Sequence, residues 1–407
     1  MLNSTFSVRL LSNAMASKLP HLGSAPRSNG VPIKWKSQLQ LDGTPMEYSW
    51  KWNTPTSEPN VRYGVEPISQ CAGTELDPLN QQAARELLYR LACVMPSVDL
   101  CWVNHFLATL FDHDNTKYAQ EAAAGAHLST SLLISVELLS SGPALKTYFQ
   151  PRKLGQTGLM PLEYWETSIN QLDPDNAART ALHDFLSSSP EGQSLTPFCL
   201  SVDNVEPAKA RLKWYFNSPH TSFASVRDIM TLGGRITSPH LTAQLAALHE
   251  LIKTVTGLPA DFPEDAEVPA AAAPQYGPSA KDNFAELPTL LIGNVYFFDV
   301  APGKALPEIK FYTPLRNYGR DDLALARGLT AWMEAHGRGS YCNRYLRMLE
   351  SLAEHRRLDE GWGLQTFLSC QFKSDGELDI TSYLAPEAFH SQRLARRRST
   401  LRRGDGY

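Results

Sequence analysis

Along residues 81–111 apolar positions recur every three or four residues, and the period breaks once, at Pro96. The run therefore predicts two consecutive amphipathic helices. The same period predicts helices over about 160–187, 240–256, 322–336 and 340–355. Between them lie shorter runs rich in β-branched and aromatic residues, at 60–68, 131–138, 144–149, 210–216, 289–300, 308–312 and 364–372, which predict strands. Helix groups alternate with strand groups along most of the chain.

The flanks have no such period. Residues 1–35 are rich in Ser, Asn, Pro and Gly and predict a loosely ordered arm, and 391–407 form a basic tail with Arg393, Arg396, Arg397, Arg398, Arg402 and Arg403. The Ala/Pro-rich stretch at 261–288 predicts a surface excursion, not a domain linker, because strand-like sequence resumes directly after it. One domain over 36–390 is the expected organisation. With 407 residues, either a large closed barrel or two ordinary domains would fit the length.

Composition narrows the class. A hydrophobic fraction of 43% and a charged fraction of 20% describe a globular chain. A net charge of -4 and a pI near 6.3 give no global reason to expect a nucleic-acid or anionic-membrane partner. Cys71, Cys93, Cys101, Cys199, Cys342 and Cys370 show no CxxC pair and no zinc spacing, which predicts reduced thiols. There is no apolar run long enough to span a bilayer and no convincing signal peptide, so a soluble cytoplasmic protein is expected.

One short pattern carries candidate chemistry. A basic residue followed two positions later by tyrosine occurs at Lys146 and Tyr148, at Lys213 and Tyr215, and at Lys310 and Tyr312, each within a strand-like run. Residues i and i+2 of a strand share a face, so each copy offers a cation and a phenol to one surface; Arg211 extends the second into a column of three. On neighbouring strands such cations would be costly to bury without an anion, and a diphosphate is a natural counter-ion. The rings beside it would shield an allylic cation from water. The alternative is that each copy is an ordinary Lys-x-Tyr, its lysine reaching for solvent and its tyrosine packed on the sheet.

The segments EYSWKW, VRYGVEPIS, ALKTYF, ARLKWYF, LLIGNVYFFDVAPGKALPEIKFYTPLRNYG, LQTFLSCQF and ITSYLAPEAF, in this order over about 40–390, resemble the fungal dimethylallyltryptophan synthase family. The resemblance implies an α+β fold, a ten-stranded antiparallel β-barrel surrounded by α-helices. It also implies an aromatic prenyltransferase of secondary metabolism. Such an enzyme moves a prenyl group, with dimethylallyl expected, from an allylic diphosphate to an indole-containing acceptor by electrophilic aromatic substitution.

By the same resemblance Glu66 is the catalytic base, taking its proton from the indole. Lys146, Arg211, Lys213, Lys310 and Lys373 bind the diphosphate, and Tyr148, Tyr215, Tyr312 and Tyr383 shield the cation. Departures are Phe367, where the family has a tyrosine, and Glu75-Leu76, where many members have a diphosphate-binding arginine. Segment 128–145 lacks a Lys and segment 184–208 lacks an Arg at places used by members that hold free tryptophan, so a neutral acceptor is expected.

No cofactor and no essential metal are expected, with dimethylallyl diphosphate as co-substrate. Asp321-Asp322 lacks the last acid of a DDxxD motif, and Asp112-His113-Asp114 has the wrong spacing; both read as solvated acidic faces. The rivals are altered chemistry on the same scaffold, with a non-indole aromatic or an oxygen as acceptor, and a non-catalytic carrier of hydrophobic aromatics. The expected partners are the allylic diphosphate and the aromatic acceptor. A homodimer is left open, as are regiochemistry and donor length.

Overall fold

The computed structural model describes residues 35, 37–139, 142–270, 293–318 and 320–395. Most of the N-terminal arm, residues 396–407 of the basic tail, and 271–292, within the Ala/Pro-rich stretch and the strand-like run after it, lie outside the described residues.

Ten antiparallel strands follow one another around a closed barrel: β1 (Met46–Lys51), β2 (Asn60–Val65), β3 (Leu132–Leu139), β4 (Gly142–Phe149), β5 (Thr196–Asp203), β6 (Leu212–Ser218), β7 (Asn294–Asp299), β8 (Glu308–Thr313), β9 (Gln365–Phe372) and β10 (Leu378–Leu384). Strand β1 pairs with β10 and completes the ring. Closure leaves no sheet edge, the feature that otherwise invites pairing with another chain. Helices fill the intervals between successive strand pairs, so the alternation seen in the hydrophobic pattern is the ββ-plus-helices repeat of the fold.

Closure beneath a layer of helices also explains why several strands are buried on both faces. In β6 every residue is buried. Trp214 meets Trp165 of helix Leu162–Ile169 at 6.3 Å between ring centroids, while its neighbours Lys213 and Tyr215 point to the opposite face. Local signals set the helix ends. Asp114, Asn176, Ser189, Ser222 and Asp321 each accept a backbone N–H at a helix start, and Gly257, at φ 72°, closes helix Leu241–Thr256 in the left-handed conformation glycine favours.

By internal contacts the chain divides into two compact units. The first carries Arg62–Asn217 and Tyr296–Ile309, with the residues up to Leu39; the second carries Gln40–Val61, Ser218–Val295 and the residues from Lys310 on. In the first, helix Gln82–Val94 buries Leu87, Leu88 and Leu91. In the second, Tyr345 of helix Cys342–Leu352 packs on Trp52 at 4.7 Å and Trp50 at 5.9 Å.

Three strands escape the hydrophobic pattern. Strand β5 contains Pro197, and its pairing with β6 shifts register between Pro197 and Cys199, so it reads as a broken strand. Strands β1 and β10 carry polar residues at alternate positions, which hides them from an apolar-run criterion. Helix Asn115–Ala123 buries one residue, Tyr118, and is correspondingly silent in sequence.

Of the acidic pairs, Asp321-Asp322 is not a solvated face, whereas Asp112 and Asp114 are part-exposed. Asp322 is fully buried, takes a hydrogen bond from Arg356 at 2.5 Å and accepts the backbone N–H groups of Leu364 and Gln365 at 3.2 and 3.0 Å. Asp321 caps the helix through Ala324 N–H at 2.8 Å. Asp112 accepts from Lys153 at 3.2 Å and from Leu154 N–H at 2.8 Å, and Asp114 is a helix cap. The sequence shows Asp322 but not the arginine and the backbone N–H groups that fold onto it.

Candidate active site

In the first unit, strand register brings two copies of the Lys-x-Tyr pattern into a ladder. Lys146 of β4 stands opposite Asp203 of β5; one step along, Tyr148 pairs with Ser201, and Ser201 with Lys213 of β6; one further, Cys199 pairs with Tyr215. Each of these positions is two residues from the next on its strand, so they share a face. Tyr215 is the hub of the aromatic part. Tyr148 lies 5.8 Å from it, Phe297 5.5 Å and Phe198 6.3 Å, all tilted or edge-on, the geometry ring quadrupoles prefer.

The cations arrive with their own counter-ions. Asp203 takes a hydrogen bond from Lys213 Nζ at 3.0 Å and from Arg211 Nε at 2.7 Å; Arg211 also reaches Asp299 at 3.3 Å. Glu137 of β3 pairs with Lys146 at 3.2 Å and with Arg62 at 2.9 Å. This corrects the argument that the cluster lacks an anion until a ligand supplies one. The four cations face Asp203, Asp299 and Glu137, and Glu308 also acts on Arg211 and Asp299. The sequence hides Asp203, because Pro197 disguises β5 as a broken strand, and Arg62 pairs with Glu137.

Burial and charge pull these groups apart. Burial pushes Lys213 down to about 8, against the opposing pull of Asp203 and Asp299. Burial raises Asp203, but Lys213, Lys146 and Arg211 outweigh it and hold its pKa below the usual carboxylate value. For Asp299 burial wins over Lys213 and Arg211, and its pKa is raised. One carboxylate is thus a committed counter-ion and the other a reluctant one. The Ser201 hydroxyl, in the middle of the ladder, is buried and has no hydrogen-bond partner among the described residues.

Glu66 follows the last residue of β2 and precedes Pro67, which disfavours a helical turn at Glu66. It is fully buried, and its pKa is raised by burial against hydrogen bonds from Ser37, Thr130, Trp35 and Asn80. Trp35 Nε1 donates at 2.8 Å, Asn80 Nδ2 at 2.9 Å and Thr130 Oγ1 at 2.7 Å. Asn80 holds a left-handed φ of 50°, tied by its bonds to Glu66, to Pro67 O and from Ser69 N–H. These donors come from three distant parts of the chain, and the sequence offered no signal for them.

In the second unit, Lys310 and Tyr312 of β8 share a face, with the Lys310 ammonium 5.9 Å from the Tyr312 ring centroid. Tyr312 lies 5.6 Å from Tyr383 of β10, and Tyr383 is opposite Phe367 of β9, whose ring carries the Arg316 guanidinium at 5.2 Å. Lys310 is buried. Lys373, by contrast, lies exposed just past β9, where its carbonyl accepts from Gly376 N–H and Gln244 Nε2. Glu75 accepts from Thr116 at 3.1 Å, and Leu76 is exposed.

Among the described residues one group has metal-ligand spacing: His355, Glu387 and His390 place ligand atoms within 4.8 Å of one another. Arg356 already donates to both Glu387 oxygens, at 3.1 and 3.0 Å, so a guanidinium stands where a divalent cation would need the carboxylate. Two grooves of about 350 and 360 Å³ in the first unit are lined by 94–98 with 142–145 and by 159–163 with 192–197. Neither contains a candidate site residue.

Comparison with known proteins gives a consistent result. The family model described as tryptophan dimethylallyltransferase matches residues 12–348. The chain is 55% identical over 395 residues to prenyltransferase anuH of Penicillium roqueforti, covering 96% of this chain and 86% of that protein. It is 56% identical over 388 residues to xanthone prenyltransferase B of Emericella nidulans, covering 95% and 83%. Among solved structures, AnaPT from Neosartorya fischeri superposes with a TM-score of 0.72 at 26% identity, covering 90% of this chain and 84% of that one.

Proposed function

The chain belongs to the tryptophan dimethylallyltransferase family and is an aromatic prenyltransferase, and from that premise we propose how its residues divide the work. Lys146, Arg211 and Lys213 hold the diphosphate, whose negative charge relieves the cost of burying Lys213. The allylic C–O bond breaks and the diphosphate leaves with the bonding pair. Tyr148 and Tyr215 face the allylic cation with their π-clouds and keep water from it. A ring carbon of the acceptor supplies the electron pair for the new C–C bond, and the proton it releases goes to a carboxylate, Glu66. For the second unit the same reading assigns cation roles to Lys310 and Lys373 and aromatic roles to Tyr312 and Tyr383.

The observation that carries this is the ladder itself: cation, phenol and an unpartnered hydroxyl on one face of β4, β5 and β6. Prenyl transfer uses all three features, whereas an aromatic carrier needs only the rings. No essential metal is proposed, because lysine and arginine neutralise the diphosphate.

The acceptor expected from sequence is an indole-containing metabolite. A second reading, a hydroxylated fused aromatic, is supported by the 56% identity to a protein named for xanthones. The test is incubation with dimethylallyl diphosphate and one panel of each class, followed by mass spectrometry. A gain of one prenyl unit on an aromatic product is expected. Release of prenyl alcohol alone, or tight aromatic binding with no turnover, would overturn the proposal.

A further inference from the structure

Strand β1 carries a second carboxylate on the face of the barrel that turns away from the helices. Ser49 pairs with Tyr383 and Lys51 with Thr381 of β10, and Glu47 lies two residues before Ser49. Glu47 therefore shares the face that holds Tyr383 and, across β9, Tyr312 and Lys310. Trp50, on the opposite face, packs on Tyr345 of helix Cys342–Leu352 at 5.9 Å. Lys310, Tyr312 and Tyr383 occupy successive levels of the shared face, and Glu47 stands one level beyond Tyr383. Cation, phenols and carboxylate thus succeed one another in the order in which a diphosphate, an allylic cation and an aromatic acceptor would lie.

Lys51, on the same face, is matched by Asp379 at 2.8 Å, whereas Glu47 takes one long hydrogen bond, from Gln40 Nε2 at 3.4 Å. A carboxylate offers about four acceptor directions, so most of those of Glu47 stay open. Burial pushes its pKa up to about 7; the Arg316 guanidinium, which lies 5.2 Å over the Phe367 ring, pulls it only part of the way back. A hydroxyl stands nearby. The pairing of β9 with β10 shifts register between Phe367 and Gln365, which makes Thr366 the extra residue of a bulge, a device that re-aims a side chain. Thr366 acts on the Glu47 charge, yet its buried hydroxyl has no hydrogen-bond partner among the described residues. An acceptor and a donor are therefore both available to one incoming O–H group.

We propose that Glu47 is a further catalytic residue, the base that takes the proton of a phenolic hydroxyl on the acceptor while the Thr366 hydroxyl donates to the same oxygen. The inference rests on the second reading above, a hydroxylated fused aromatic as acceptor. The phenol O–H bond breaks, its proton passes to Glu47 and its electron pair stays on the oxygen. The ring carbon next to that C–O group then forms the C–C bond to the allylic cation. When this carbon's own proton leaves to Glu66, as proposed above, the oxygen recovers its proton from Glu47, which ends the cycle ionised. A carboxyl group that titrates close to neutrality suits both the taking and the return of a proton.

The test uses Glu47→Gln, which keeps the shape and removes the charge, with dimethylallyl diphosphate and two probes, a monohydroxyxanthone and its O-methyl ether. At about pH 7, kcat on the hydroxyxanthone should fall about a hundredfold, the usual cost of losing a positioned base. As pH rises the phenol ionises by itself, so the ratio of wild type to variant should shrink, to within about tenfold near pH 10. Taking the ratio at each pH cancels the deprotonation of Lys213, which both proteins share. An unchanged kcat at pH 7 overturns the inference, and so does a ratio that stays constant with pH, which is what damage to the fold alone would give.

Calorimetry without donor separates this inference from the reading beneath it. At about pH 8 wild type should bind the hydroxyxanthone about tenfold tighter than the ether, the scale of one charge-assisted hydrogen bond, and Glu47→Gln should lose most of that preference. The comparison is made within one protein, so partial loss of folded variant scales both affinities and leaves their ratio readable. The same ratio in both proteins sinks the role of Glu47 alone. Absence of any prenylated hydroxyxanthone with wild type sinks the hydroxylated-acceptor reading, and the inference with it.

Discussion

Tyr148 on β4 stands level with Lys213 on β6, with Ser201 of β5 between them. The two sequence copies of Lys-x-Tyr are therefore offset by one step of the ladder, so the phenol of the first is level with the cation of the second across β5. The offset is a matter of register, and it puts Tyr148 at the level of Lys213.

Replacing Lys213 with Ala should weaken binding of a non-hydrolysable thiolodiphosphate donor by roughly 10- to 100-fold, the effect of losing one charge-assisted hydrogen bond. Asp203 keeps Arg211 as a partner, so the fold should survive. Acceptor affinity measured without donor should barely move. Equal losses for both ligands, by calorimetry, would place Lys213 outside the diphosphate site.

Because burial holds Lys213 near 8, donor binding should depend on pH in a defined direction. A diphosphate selects the ammonium form, so above about pH 8 binding must take up a proton, and Kd should rise by up to tenfold per pH unit. For the empty protein the sign is opposite. Between about 8 and the usual lysine value near 10.5 the unfolded chain binds more protons than the folded one, so this group makes stability increase with pH in that window. Lys213→Arg stays charged and should flatten the donor's pH dependence, read from titrations between pH 7 and 10.

Tyr215→Ala removes the hub of a four-ring cluster while leaving the Lys213 and Arg211 contacts to Asp203 in place. Donor binding should change little. The ratio of prenyl alcohol to prenylated product should rise, because water reaches the cation. An unchanged ratio by chromatography would remove Tyr215 from the shield.

Glu66→Gln should keep the fold and donor binding and lower turnover by about a hundredfold, the usual cost of losing a positioned base. The wild-type acidic limb should lie above the ordinary glutamate range, since burial raises the Glu66 pKa and the carboxylate works only when ionised. A variant as fast as wild type on a verified acceptor would exclude Glu66 from proton transfer.

Asp321 and Asp322 should behave as structural acids. Asp322→Ala leaves two backbone N–H groups without an acceptor and takes one of two carboxylates from Arg356, which keeps Glu387, and should cost about 3 kcal/mol of unfolding free energy, whereas Asp321→Ala, the loss of a cap, should cost about 1 kcal/mol. Magnesium should rescue neither in denaturant titrations, and wild-type turnover should persist in chelator. Loss of turnover in chelator, restored by magnesium, would overturn the metal-free reading.

Much of this was written in periodicity. A spacing of two puts Lys146 with Tyr148 and Lys213 with Tyr215 on one face wherever a strand forms, and the break at Pro96 separates two helices, because both follow from local backbone geometry. Tertiary structure decided what stands across from those residues. Asp203 became the shared counter-ion because β5, disguised by Pro197, runs between β4 and β6. Asp322 became a buried anchor because Arg356 and the N–H groups before β9 fold onto it. Glu66 met Trp35, Asn80 and Thr130, which are 31, 14 and 64 residues away in sequence. Side-chain period is a property of one strand, but a counter-ion, a desolvated pKa or a filled lone pair belongs to the residues that folding brings alongside.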